Sequence, residues 1–380
     1  MVYRNVIRGQ GSRRDYLKAV GSAGLVAGVA GCVGQDDGDP LTVGFSTHFT
    51  SGAWVSALVD GTDIYAQEKG FDYNLYTTGG ESQQQITDIR QMINQEYDGI
   101  VLVPFDTQDI AAVVEEAADA GIPVFTLDID AATDAAEMLV SWSDQDAAEA
   151  AASHLVDNLH EQHPDRDQYE VLEVRAPPGR DISRLRHEPF NEQIEATDDV
   201  EVVGVVDGEW TREAADQRAR EWINANDPPD AIYSASFAMG LGAMRALEQL
   251  DLRYPSDHDD HIVAVQLDGS AESHDLIMDG YIDAAIDQPV HFYGPIALEY
   301  LERYVTGDGP DELPEEGTEV TADDLVIEPA EHEGTTLWEE PIWEPATIGT
   351  SFDHRHFITS YIEITAENAD DPHLWGNIWS

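Results

Sequence analysis

From Leu41 onward, short runs of apolar and β-branched residues alternate with longer stretches whose apolar positions recur every three or four residues. The short runs LTVGFS (41–46), DYNLYTT (72–78), GIVLVPF (99–105), IPVFTLDI (122–129) and MLVSWS (138–143) predict strands. Helices are predicted between them over Trp54–Lys69, Ser82–Gln95 and Thr107–Ala120. The runs at 99–105 and 122–129 are almost continuously apolar, as strands are when helices cover both faces of their sheet. A second series follows, with strands at 170–176, 200–206, 231–236 and 262–268 and helices around Glu188–Ala196, Arg212–Asn224 and Met239–Leu250. A last strand at 281–289 leads into a helix over Tyr293–Val305. The pattern is that of an α/β protein with two doubly wound parallel-sheet lobes in tandem, joined by a hinge of several strands.

Beyond Gly307 the texture changes. Residues 308–350 are rich in Pro, Glu, Asp and Thr, yet Trp338, Trp343, Trp375 and Trp379, four of the eight tryptophans, lie in the last 43 residues. Tryptophan is scarce in disordered acidic tails, so this extension is expected to pack on the body. The expected division is lobe 1 at 41–143 plus 289–315, lobe 2 at 144–288, and a C-terminal extension at 316–380. The chain is expected to cross between lobes near Ser143–Gln145, near Asp287–Pro289, and again toward 315–330.

An apolar fraction of 42% supplies a sizeable core, while 19 basic against 76 acidic residues give a net charge of −57. Such a surface repels nucleic acid and anionic lipid, which excludes both as partners. In molar salt the Debye length falls to roughly 3 Å and self-repulsion is largely screened, so the charge implies a protein adapted to brine.

The N-terminus departs from this composition. Arg13 and Arg14 precede an uncharged stretch, Ala19–Val29, that ends just before Cys32, the only cysteine. The stretch falls short of the roughly 20 apolar residues that span a bilayer. A basic flank, a short apolar core and small residues before a cleavage point describe an export signal over 1–32. RRDYLK resembles the twin-arginine signal and VAGC resembles a lipobox, which implies a lipid on Cys32, a flexible linker at 33–40, and a body held at the outer face of the cell membrane.

Ligands of tandem open sheets bind outside the carboxyl ends of the strands. The residues found there include Trp54, Asp128, Arg186, Trp210, Ser236, Asp268 and Gln288. Indole faces stack on the C–H face of a sugar ring, carboxylates accept from neighbouring hydroxyls, and arginine donates a planar fork. The set suits a small neutral polyol and lacks the several cations an anionic ligand wants. Each residue also has a purely structural reading: the aspartates as helix caps, Arg186 as a member of an ion pair, Trp54 and Trp210 as core lids.

These stretches carry a specific resemblance. WVSALVDG, IPVFTLDID, SWSDQDAA, PPGRDISRLRHEPFNE, MGLGAMRALEQL, VQLDGSAESHDLIMDG and AAIDQPVHFYG together resemble the type I periplasmic solute-binding proteins of the ribose-binding group. The resemblance implies the receptor of an ABC sugar importer, which hands its ligand to membrane permease subunits, needs no cofactor and is expected as a monomer. It implies ligand contacts at Trp54, Asp128, Arg186, Trp210, Asp268 and Gln288. The pattern is broken where Ile129 replaces an arginine, Val55 an aromatic residue and Ser236 an asparagine, and where His48 or Gly52 stands in the first loop for serine or asparagine. These departures leave pentose, hexose, polyol and a furanose-like signal molecule open. ITAENADDPHLWGN (364–377) resembles the endings of longer sugar-binding relatives.

Rival readings remain. Asp128 and Asp268 are candidates for the carboxyl pair of a glycoside hydrolase. GLGAMR (240–245) lacks the third glycine of a dinucleotide-binding turn. A gene regulator of the same architecture needs a basic DNA-binding segment, which the sequence lacks. DHDDH (257–261) and HRH (354–356) follow no recurrent metal-ligand spacing and read as solvated loops.

Overall fold

The computed structural model describes residues 39–48 and 51–379; Cys32, the expected export signal and residues 33–38 of the expected linker lie outside the described residues. Five strands in the order β2-β1-β3-β4-β5 form the parallel part of the first sheet: β1 (Thr42–Thr47), β2 (Asp72–Thr77), β3 (Gly99–Val103), β4 (Val124–Leu127) and β5 (Met138–Ser141). Helices α1 (Ala53–Glu68), α2 (Ser82–Asn94) and α3 (Ala111–Asp119) connect them. The second sheet repeats this order as β7-β6-β8-β9-β10, from β6 (Tyr169–Arg175), β7 (Val200–Asp207), β8 (Ala231–Ser234), β9 (Val263–Leu267) and β10 (Ala284–Asp287). Its helices are α4 (Asp144–Gln162), α5 (Asp181–Glu195), α6 (Arg212–Ala225), α7 (Phe237–Gln249) and α8 (Ala271–Met278). The α/β architecture of two lobes follows the pattern of the sequence.

The reason the central strands lack polar positions is visible in the packing. Alternate residues of β3 and β4 point to opposite faces. Val101, Val103, Phe125 and Leu127 join Leu58 and Tyr65 of α1 in one core, together with Ile296 and Leu301 of α9 (Tyr293–Thr306). Ile100, Leu102 and Val124 join Ile89 and Met92 of α2 and Val114 of α3 in another. In lobe 2, Phe190 of α5 stacks on Tyr233 of β8 at 3.8 Å.

Two helices escape the sequence pattern. The inner positions of α4 include Ala147, Ala148, Ala151 and Ala152, whose small side chains give little apolar contrast, and α8 has only eight residues. Helix α5 is predicted from Glu188 but opens at Asp181, so that Pro189 stands buried inside it. Proline usually marks a first turn, which explains the late expected start. GLGAMR lies within α7, where Gly242 is required by packing: a Cβ there would stand 2.5 Å from the carbonyl oxygen of Arg212 on α6.

The chain crosses between lobes after β5 and after β10, and a third time over Thr359–Tyr361 rather than toward 315–330. The described part of the extension, residues 316–379, enters both sheets, which moves that crossing. β11 (Glu319–Val320), β14 (Ala346–Ser351) and β15 (His354–Ile358) extend the first sheet beyond β5, with β15 parallel to it. β16 (Ile362–Ile364) then pairs antiparallel with β10 in the second sheet. A small hairpin, β12 (Ala330–His332) and β13 (Thr335–Leu337), stands apart from both. Trp343 and Trp375 are fully buried, and Trp338 meets Tyr65 of α1 edge-on while its indole N–H donates to the His291 carbonyl at 3.0 Å. A short helix, α10 (Trp375–Ile378), ends the described chain.

Because Trp343 is 1% exposed and packs on Phe357 of β15, Trp343→Ala is expected to lower the unfolding free energy by about 3–5 kcal/mol. Urea unfolding at fixed salt checks this; a loss below about 1 kcal/mol contradicts a role for the extension in the lobe-1 core.

Candidate functional site

The carboxyl ends of the strands in both sheets border one region, and a single guanidinium organises it. Arg186 projects from α5, with 2% of its surface exposed. Its Nε donates to Asp144 Oδ1 at 2.7 Å, and its Nη1 donates to Asp268 Oδ2 at 2.9 Å and to the Ala235 carbonyl at 3.0 Å. The indole rings of Trp142 and Trp210 lie 5.3 and 5.6 Å from its central carbon. At these distances both rings contribute cation–π attraction to a desolvated cation.

The network continues toward the hinge. Gln288 Nε2 donates to Asp268 Oδ1 at 2.7 Å, and Tyr293 O–H donates to Gln288 Oε1 at 3.0 Å. Tyr293 opens α9 in lobe 1, so the chain Asp144–Arg186–Asp268–Gln288–Tyr293 runs from one lobe into the other. Asp128 and Asp268 follow β4 and β9 in the same left-handed backbone conformation, φ 62° and 61°. Aspartate tolerates this region better than bulky residues do.

Carboxylates outnumber the cation. Burial, reinforced by the charge of Asp144, pushes the Asp128 carboxyl up to about 7 even though Arg186 opposes the shift. Asp144 is also raised by burial, against the pull of Arg186. Burial and the charge of Asp268 push Asp287 at the end of β10 up to about 7. Burial works against the charge on Arg186, but Asp268 and Asp144 more than restore it.

The structure therefore gathers Asp128, Arg186, Trp210, Asp268 and Gln288, five of the seven residues expected from the sequence. Ser236 lies beside them, next to Ala235, and its hydroxyl caps α7 by accepting from the Met239 amide at 3.4 Å. Trp54 is the second residue of α1, half-buried against the lobe-1 core. Asp144 belongs to the strand-end stretch Ser143–Gln145 but not to the seven expected contacts, and Trp142 was not expected at all. Both lie in SWSDQDAA, where Ser143 caps α4 and so places Asp144 in its first turn. The histidines of the two suspected metal stretches have protein partners. His261 meets the Tyr254 carbonyl and Asp283, His354 meets Asp130, and His356 meets Ser141.

Beside the Arg186 network lies a cavity of about 660 Å³ between the lobes. Asp128 and Asp144 stand on its wall, whereas the other six expected residues do not line it. The lobes meet at its rim, where the Arg180 guanidinium lies 6.0 Å over the Phe105 ring. His48, behind Phe105, is held at about 4, well below the usual imidazole value, chiefly by burial.

Residues 43–309 match the family model described as periplasmic binding protein domain. Galactofuranose-binding protein YtfQ of Escherichia coli (strain K12) is 24% identical over 268 residues, 70% of this chain and 82% of that protein. Ribose import binding protein RbsB of Bacillus subtilis (strain 168) is 24% identical over 267 residues, again 70% and 82%. Among solved structures, an ABC transporter periplasmic solute binding protein from Actinobacillus succinogenes 130z with bound D-allose superposes with a TM-score of 0.69 at 16% identity. That match covers 87% of this chain and 99% of the other.

The raised Asp128 carboxyl makes stability depend on pH. The folded protein holds this proton more tightly than the unfolded chain. Its contribution is thus complete below the unfolded value of about 4 and is lost as pH rises through about 7. Asp128→Asn is expected to flatten this part of the decline, read as melting temperature from pH 4 to 8 at constant salt. An unchanged slope contradicts the assignment.

Proposed function

We propose that this chain, which belongs to the periplasmic binding protein domain family, is the substrate-binding component of an ABC importer and closes its lobes on a small neutral sugar. The observation that carries this reading is the Arg186 network, a buried fork between two indole rings with carboxylate and amide acceptors on either side. Hydroxyls of a pentose or hexose exchange water for these acceptors, and the flat faces of Trp210 and Trp54 cover the ring. The Arg186 guanidinium is already matched by two carboxylates, and the cavity wall sets Asp106, Asp128, Asp130, Asp144 and Asp181 against Arg180 and Arg184, a balance that disfavours a sugar phosphate or an acid. Asp144 acts as a positioning residue that holds Arg186. Ser236 and Gln288 complete the set, and Gln288 ties occupancy to the hinge through Tyr293.

The names of the relatives support the substrate class: galactofuranose and ribose binding in two of them. A polyol or furanose-like molecule fits the same chemistry. Both oxygens of Asp268 are engaged, by Arg186 and Gln288, which favours binding over a hydrolytic acid–base pair with Asp128. Sugar binding biases an existing open–closed equilibrium, with bending at the three crossings. The closed form is the one recognised by the permease subunits, and a lipid on Cys32 keeps a monomeric body at the outer membrane face.

Thermal-shift screening of the protein truncated at Cys32, in 2 M potassium chloride, tests the reading. A neutral sugar at 100 times its dissociation constant is expected to add about 2.7 kcal/mol, and Asp268→Asn is expected to abolish the shift. A shift with amino acids, peptides or oxyanions alone overturns it, as does turnover of aryl glycosides.

A further inference from the structure

The cavity beside the Arg186 network is larger than one sugar ring needs and is built partly from residues outside the family match. Its volume of about 660 Å³ lies in the range of roughly 300–1,000 Å³ that holds drug-sized ligands. A hexose has only twelve heavy atoms. The far wall is the β14–β15 hairpin, with Thr350, Ser351, Phe352, His356 and Ile358 facing the space. The family match ends at residue 309, short of this wall.

The tip of the hairpin is unusual. Phe352 and Asp353 both take positive φ, 42° and 68°. Two-residue hairpin turns of this hand are normally filled by Asn-Gly or Gly, and a bulky ring is disfavoured there. Phe352 nevertheless stands at the cavity with 43% of its surface exposed. Strained residues of this kind gather at ligand clamps. Phe105 lines the same cavity and carries Arg180 of the other lobe over its ring. The same lining is otherwise largely polar: Gln108, Gln145 and Ser141, the last bonded to His356 at 2.7 Å, stand with five aspartates and with Arg180 and Arg184. Two aromatic rings, neutral hydrogen-bonding groups and a majority of carboxylate acceptors in one lining describe a second carbohydrate subsite.

We propose that the cleft takes a disaccharide: one ring sits at Asp128 and Asp144, on the side of the cavity next to the Arg186 network, and the glycosidic bond leads across the cavity to a second ring held against Phe352. This rests on the sugar reading above and narrows it. Asp128 and Asp144 tie the first ring to that network, since each belongs to the charge network around Arg186 and also lines the cavity.

The test is titration calorimetry in 2 M potassium chloride with a panel of neutral monosaccharides and of disaccharides built from them. The wild-type protein is expected to bind one disaccharide at least tenfold more tightly than its component monosaccharides. Phe352→Ala is expected to erase that advantage while leaving the monosaccharide affinity within about twofold. Thr350→Trp, a change at an exposed hairpin position that fills the cavity, is expected to block the disaccharide alone. Monosaccharide binding with no gain from a second ring overturns this inference and leaves the sugar reading standing. An equal loss of both ligand sizes in Phe352→Ala also overturns it. Absence of any carbohydrate binding overturns both.

Discussion

One buried guanidinium holds the cleft together. In a chain with 76 acidic and 19 basic residues, Arg186 is the cation placed where Asp144 and Asp268 have left water. A charge taken out of water is tolerated when it is paired and hydrogen-bonded, and it becomes a liability when its partner is lost. Arg186 thereby fixes α5 against α4 and the end of β9, and passes its orientation through Asp268 and Gln288 to Tyr293 in the other lobe. The same pairing leaves the surrounding acceptors in excess, which is the condition for holding hydroxyls and rejecting anions.

The repeated strand order makes this arrangement possible. Each sheet presents its strand ends to the same gap, and the chain passes between them three times. The C-terminal residues bind the two halves further. Trp375 donates its indole N–H to Asp287 at 2.9 Å at the end of β10, while its ring packs in the lobe-1 core and meets Phe237 of lobe 2 at 6.0 Å. Asn377 Oδ1 accepts a hydrogen bond from His274 Nδ1 of α8 at 2.7 Å. The lobes are therefore linked at the hinge by side chains as well as by backbone, and ligand energy acts on an element already restrained.

Much of the fold was legible because apolar strands and amphipathic helices carry opposite periodicities. β3, β4, α1, α6 and α7 lie within a few residues of where the pattern predicts them. The alanine-lined α4 was not, since burial of small side chains leaves a faint pattern. In the site, strand-end placement and motif resemblance pointed to Arg186, Asp268 and Gln288. Asp144 was legible only as part of the strand-end stretch Ser143–Gln145, because an acidic residue in the first turn of a helix is commonplace in so acidic a chain. The path of residues 316–380 was the least legible part. Its strands are short, and their pairing with β5 and β10 depends on exposed sheet edges that no local pattern reveals.

A crystal structure with the best-binding sugar tests the central claim most directly. The account predicts sugar hydroxyls at hydrogen-bond distance, about 2.5–3.0 Å, from Asp128, Asp268 and the Arg186 fork, with an indole face on the ring. A sugar seated elsewhere, with the Arg186 network closed on itself and untouched by ligand, contradicts it.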